Sequence, residues 1–169
     1  MIPLSLSVSL QEVVLRLGAA LLVGALLGLN RELKDKPAGL KTHSLVSLGA
    51  AILTLVGISF AASSMMLGGD AISRVVQGII TGIGFLGGGV ILRDDSKRTV
   101  YGLTTAATIW LAACLGIACG AGQWGITVVA TVAVLIVLLV GEPVERQVRR
   151  LGDLEEEADA KRSRDSTST

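Results

Sequence analysis

Apolar stretches of about 20 residues, the length that carries a helix across a bilayer, recur five times along this chain with short charged breaks between them. They run over 8–29, 44–62, 73–92, 103–120 and 124–141. Within each stretch the apolar residues are continuous rather than alternating, which predicts helices and not barrel strands. The layout therefore predicts an all-α fold: a polytopic membrane helix bundle with five transmembrane helices. Composition agrees. Hydrophobic residues make up 51% of the chain and mean hydropathy is +0.68, more apolar surface than a soluble domain of 169 residues can hide.

The breaks set the expected orientation. Arg31, Lys34, Lys36 and Lys41 follow the first stretch, Arg93, Lys97 and Arg98 the third, and Arg146, Arg149 and Arg150 the fifth. The other side carries only Arg74, at the outer end of the third stretch, so basic residues stand ten to one on one side. Basic loops stay in the cytoplasm, which predicts the N-terminus outside and the C-terminus cytoplasmic. The opening MIPLSLSVSL has no positive n-region and no small-residue cleavage site, so the first stretch reads as a retained helix and not a signal peptide. Residues 1–145 read as one transmembrane domain. The charged, Ser/Thr-rich segment 146–169 lacks an apolar pattern and reads as a disordered cytoplasmic tail. Tyr101 and Trp124 fall at expected membrane interfaces.

The 21 glycines sharpen the packing expectation. Gly24 and Gly28 follow Ala20 at four-residue spacing, Gly78–Gly82 and Gly84–Gly88 repeat it in the third stretch, and Gly116 and Gly120 follow Ala112 in the fourth. Each set makes a stripe where another backbone can approach closely, and close packing of small residues holds helices together in lipid. The stripes predict that the first, third and fourth helices form a tight trio. Gly82-Ile83-Gly84-Phe85-Leu86-Gly87 matches a dinucleotide-binding fingerprint, but it sits in an apolar run without the strand–turn–helix context that motif requires. The same run reads either as a close-packed helix or as a glycine-rich helix break of the kind transporters use.

The segments GLNRELKDKPAGLKTHSLVSLGAA at 28–51, RVVQGIITGIGFLGGGVILR at 74–93 and YGLTTAATIWLAACLGIACGAGQW at 101–124 resemble, in order, the signature blocks of the MgtC/SapB family of small bacterial inner-membrane proteins. The resemblance extends over about residues 10–146. Asn30 stands where many members carry an acid, and Gly88 where Ala is usual. The resemblance implies a short form without the soluble C-terminal domain that some members add. It also implies a multi-pass protein of the inner membrane, associated with growth at low magnesium and, in some pathogens, with survival in host cells.

Candidate chemistry divides by depth. Glu12, Arg16, Asp70, Arg74 and Gln77 belong near the outer side. Glu12 and Arg16 are four apart and share a helix face, as do Arg74 and Gln77 at three apart. Arg inside a span is costly and marks a functional position by default; the alternative for Arg16 and Glu12 is a salt bridge that fixes packing. Near the cytoplasmic side lie Asn30, Arg31, Glu32, Thr42, His43, Arg93, Thr104 and Thr105. His43, the single histidine, reads as a pH sensor or as a polar residue that orders the adjoining loop. Cys114 and Cys119 are five apart and point away from each other on one helix. Glu12 is the only acid within the spans, a poor supply of the oxygen ligands magnesium demands. No catalytic set and no cofactor motif is present, so an enzyme is not expected; a metal ligand set stays unknown. The expected surroundings are the lipid bilayer and another membrane protein or a second copy, with no nucleic acid. Two functions remain open: regulation of another membrane protein in magnesium homeostasis, and transport or conduction of magnesium or another small ion.

Overall fold

The computed structural model describes residues 8–63, 68–94 and 99–167. Lys97 and Arg98 of the second basic break, and the first seven residues, lie outside these. The chain forms α1 (Leu10–Glu32), α2 (Leu40–Ser63), α3 (Gly68–Val90), β1 (Leu92–Asp94), β2 (Thr99–Tyr101), α4 (Leu103–Gly120) and α5 (Trp124–Thr167). All five helices carry a segment long and apolar enough to cross a membrane. The strands form one small antiparallel hairpin with Leu92 opposite Tyr101, Arg93 opposite Val100 and Asp94 opposite Thr99.

Local sequence explains where the helices begin and end. Ser9 caps α1 by accepting a hydrogen bond from the Glu12 amide at 3.2 Å, the Ser-x-x-Glu arrangement that satisfies an orphan donor of the first turn. The α1–α2 turn contains Pro37 and reverses direction through Asp35 (φ 51°) and Ala38 (φ 59°), both left-handed. Gly102, with φ 87°, turns the chain from the hairpin into α4, a conformation that glycine adopts without steric cost.

Residues 1–132 form one compact unit and 133–169 a second. In the first unit α2 is central and packs on α1, α3 and α4, and α1 also packs on α4. The core trio is therefore α1, α2 and α4. This corrects the expected trio of first, third and fourth helices. The glycines of α1 and α4 meet the backbone of α2: a methyl group added to Gly24 would lie 2.6 Å from the His43 carbonyl oxygen, and one on Gly120 would lie 2.7 Å from that of Ala51. Gly28 abuts Gly39 and Leu40, and Gly116 abuts the Ser47 carbonyl. By contrast, a methyl group added to Gly78, Gly82, Gly84 or Gly88 of α3 would meet no atom within 4 Å beyond the local backbone, among the described residues. Helix α3 instead contacts α2 and α4 through Ile79 and Ile83, which pack with Ala50, Ile109 and Ala113. Larger apolar side chains fill that seam, so these four glycines face outward, while a methyl group on Gly87 would lie 3.6 Å from Ala106 Cβ of α4. The glycine-rich run lies inside one continuous helix rather than at a break.

Beside its apolar residues the interior buries Ser47, Thr54, Thr105 and Thr108, while Leu22, Phe60, Phe85 and Val129 are exposed. Large apolar side chains on the outside suit a protein whose solvent is hydrocarbon. Thr54 and Ser59 satisfy their hydroxyls on the carbonyls four residues back, at 2.8 and 3.0 Å. In the second unit α5 continues as helix through Pro143 to Thr167. The segment 146–169, expected to lack structure, is thus helical as far as Thr167; its Glu, Ala, Lys and Arg residues are good helix formers.

Candidate functional site

The α1–α2 turn and the strands β1 and β2 lie at one end of the first unit, as the antiparallel helix order requires. A buried polar cluster forms just beneath them. Arg31, at the end of α1, is only 3% exposed, and its Nη2 donates to Thr105 Oγ1 on α4 at 2.7 Å. His43, in the first turn of α2, is fully buried. Its Nδ1 lies 2.9 Å from the Gly39 carbonyl and its Nε2 3.1 Å from Thr108 Oγ1. A carbonyl can only accept, so Nδ1 carries the proton, and in the neutral ring Nε2 accepts from the Thr108 hydroxyl. The Thr105 carbonyl lies 2.9 Å from the same hydroxyl, so the single Thr108 proton serves one of the two acceptors at a time, and these contacts join Arg31, Thr105, Thr108, His43 and Gly39. This arrangement fastens α1, α2 and α4 to one another and to the turn.

Glu32 completes that end. Its Oε2 accepts from the Leu40 amide at 2.8 Å, so the carboxylate caps α2, where a negative charge also complements the helix dipole. Asn30 is half-buried, and Thr104 and Thr42 are exposed. The expected group Asn30, Arg31, Glu32, Thr42, His43, Arg93, Thr104 and Thr105 therefore splits: Arg31, His43 and Thr105 share one network, Glu32 caps the neighbouring turn, Thr42 and Thr104 face outward, and the side chain of Arg93 lies outside those described. Thr108 was not singled out in the sequence. Its signal is the three-residue spacing from Thr105 in an otherwise apolar helix.

The opposite end holds a different arrangement. Arg16 Nε pairs with Glu12 Oε2 at 2.9 Å, and Arg16 Nη1 donates to the Gly120 carbonyl at 3.0 Å. A cation on the last carbonyls of α4 is favoured by the helix dipole. Gly122, with φ 70°, passes close enough that a methyl there would lie 2.8 Å from Arg16 Cζ. Asp70, Arg74 and Gln77 do not join this pair; all three are exposed on α3, which packs on α2 and α4. The five polar residues of that side thus form two separate sets.

The hydroxyls of Ser44 and Ser47 are buried without a hydrogen-bond partner among the described residues. Cys119 Sγ lies 4.0 Å from Thr127 Oγ1, and both cysteines are free thiols. Among the described residues no group of three or more His, Cys, Asp or Glu side chains is placed to hold a metal ion.

Comparison with known proteins fits this architecture. The chain is 44% identical over 129 residues to protein SrpB of Synechococcus elongatus, covering 73% of this chain and 71% of that protein. It is 42% identical over 134 residues to protein MgtC of Salmonella typhimurium, covering 79% of this chain and 54% of the relative. Protein SapB of Bacillus subtilis is 41% identical over 146 residues, 83% of this chain and 60% of the relative. The chain thus spans about half the length of the Salmonella protein. No solved structure matches it. The model of the MgtC family matches residues 17–147, a range that holds the Arg31–His43 network and all of α1–α4 but the first turns of α1. This multi-pass membrane protein belongs to the MgtC family.

Proposed function

We propose that the protein supports adaptation to low magnesium from the bacterial inner membrane by regulating another membrane protein, rather than by moving magnesium itself. The magnesium role rests on family membership. The observation that carries the regulatory reading is the closed α1–α2–α4 seam. Gly24, Gly116 and Gly120 bring backbone against backbone along it, and Arg31 and His43 spend hydrogen bonds on neighbouring helices. A hydrated divalent cation needs an open, oxygen-lined path, and this seam is filled with side chains and backbone. Glu12, the acid set within the apolar part of α1, is bound to Arg16. No catalytic step is assigned to the protein. The turn end with Arg31, Lys34, Lys36 and Lys41 faces the cytoplasm in this reading, following the bias of basic residues.

The test pairs growth with flux. Deleting the gene should impair growth at low magnesium, and the purified protein in liposomes should carry no magnesium down a gradient. Replacing Arg74, Gln77, Asn30 or Glu32 with Ala should weaken complementation while the protein stays in the membrane. Saturable magnesium flux that disappears in Glu12→Gln would replace regulation with transport.

A further inference from the structure

Helix α3 is the least covered of the spanning helices and α4 the most. What it leaves uncovered is unlike the other outward faces. Helix α1 presents Leu15, Leu22 and Leu26, and α5 presents Val128, Val129 and Val132. Helix α3 presents Asp70, Arg74, Gln77, Gly78, Thr81 and Gly82, all exposed. At 100° per residue these six fall on one side of the helix, opposite the buried Ile79 and Ile83. Thr81 satisfies its hydroxyl on the Gln77 carbonyl at 2.8 Å. The side-chain amide of Gln77 has no partner among the described residues, and no ion pair joins Asp70 to Arg74.

Hydrocarbon is a poor neighbour for this face. An arginine in a span needs a partner or water, and glycines offer lipid tails little contact area while allowing another helix backbone to come close. We propose that the exposed face of α3 is the interface of a homodimer, in which two copies of the chain pack α3 against α3 across a two-fold axis along the membrane normal.

The charge pattern selects a second copy over an unrelated helix. Asp70 and Arg74 are one helical turn apart, about 6 Å along the axis. Placed at equal depth across a two-fold axis, the Asp70 carboxylate of each copy comes within reach of the Arg74 guanidinium of the other, and the exchange is reciprocal as an isologous contact requires. Gln77 meets its own equivalent, and a primary amide both donates and accepts. One turn deeper, Gly78 and Gly82 supply the small-xxx-small spacing at which parallel membrane helices cross closely. Phe85, 85% exposed, stands on the same side between Gly82 and Gly88 and supplies a bulky side chain for the partner's glycines. The proposal is independent of whether the protein regulates or transports.

The test uses the full chain in native membranes, with Cys114 and Cys119 replaced by Ala. Under mild oxidation Gly78→Cys should cross-link to twice the mass of one chain, while Leu22→Cys, on the exposed face of α1, should not. Adding Gly82→Leu should lower the cross-link yield by about tenfold or more without lowering the melting temperature, because Gly82 has open space around it within one copy. Asp70→Arg alone and Arg74→Asp alone should each lose the cross-link, and co-expression of those two variants should restore it between unlike copies. Equal cross-linking at Gly78→Cys and Leu22→Cys would overturn the proposal. So would indifference to Gly82→Leu and to both charge changes, or a cross-linked product containing a different protein.

Discussion

The glycine stripes of this molecule share one spacing and fall into two opposite surroundings. Those of α1 and α4 are pressed onto the backbone of α2. That of α3 borders open space within one copy. The difference teaches that a small-xxx-small pattern marks a surface suited to close approach and says nothing about which helix fills it. Inside the trio the pattern serves the fold of one chain. On α3 it lies beside Asp70, Arg74 and Gln77, and the polar company separates the two cases. Arg31 and Arg74 divide the same way: Arg31 is buried in a network, whereas Arg74 is exposed.

The largest effect is expected where the contrast is sharpest. Gly116→Leu drives a side chain into the Ser47 backbone and should cost about 3 kcal/mol or more, the upper range of overpacking. Thermal melting in detergent should show loss of the folded protein, while Gly82→Leu melts like the parent chain. Equal melting of the two variants would erase the distinction between the stripes. Next, Arg31→Ala removes a charged donor from a buried network and should destabilise by about 2 kcal/mol. Arg74→Ala, on an open face, should leave the melting of the single copy unchanged in the same assay. Glu32→Ala removes the cap on α2 and should cost about 1 kcal/mol, with Glu32→Gln recovering part of it; an unchanged melt would mean the Leu40 amide finds another acceptor. The smallest effect belongs to Ser47→Ala. Its hydroxyl is buried without a partner among the described residues, so its removal should be neutral or stabilise by up to about 1 kcal/mol. A marked loss of stability there would reveal a hydrogen bond in the seam.

The five helices were legible because a bilayer imposes both length and continuous apolarity on any spanning segment. The Glu12–Arg16 pair was equally legible, since four-residue spacing alone brings the two side chains together. Helix pairing was not. Nothing in the spacing of Gly78 and Gly82 distinguishes them from Gly116 and Gly120; the decision was made by Ile79 and Ile83, whose bulk claims the seam with α4 and turns the glycines outward. Thr108 was missed because a threonine in an apolar helix ordinarily bonds to its own backbone, and its link to His43 depends on how α2 and α4 lie against each other. The helical course of α5 beyond the membrane was missed because lack of an apolar face was equated with lack of helix, although local propensity favours one there.

The bond from Arg16 to the Gly120 carbonyl has a consequence in time. Its partners are 104 residues apart in sequence, so the arginine enters the membrane long before its acceptor has been synthesised. At about 5–20 residues per second, the interval is on the order of 5–20 seconds. During that wait Glu12, one turn away on the same helix, is the partner already in place. The carboxylate thus escorts the charge through insertion, and the arrival of α4 fastens the last core helix to the first.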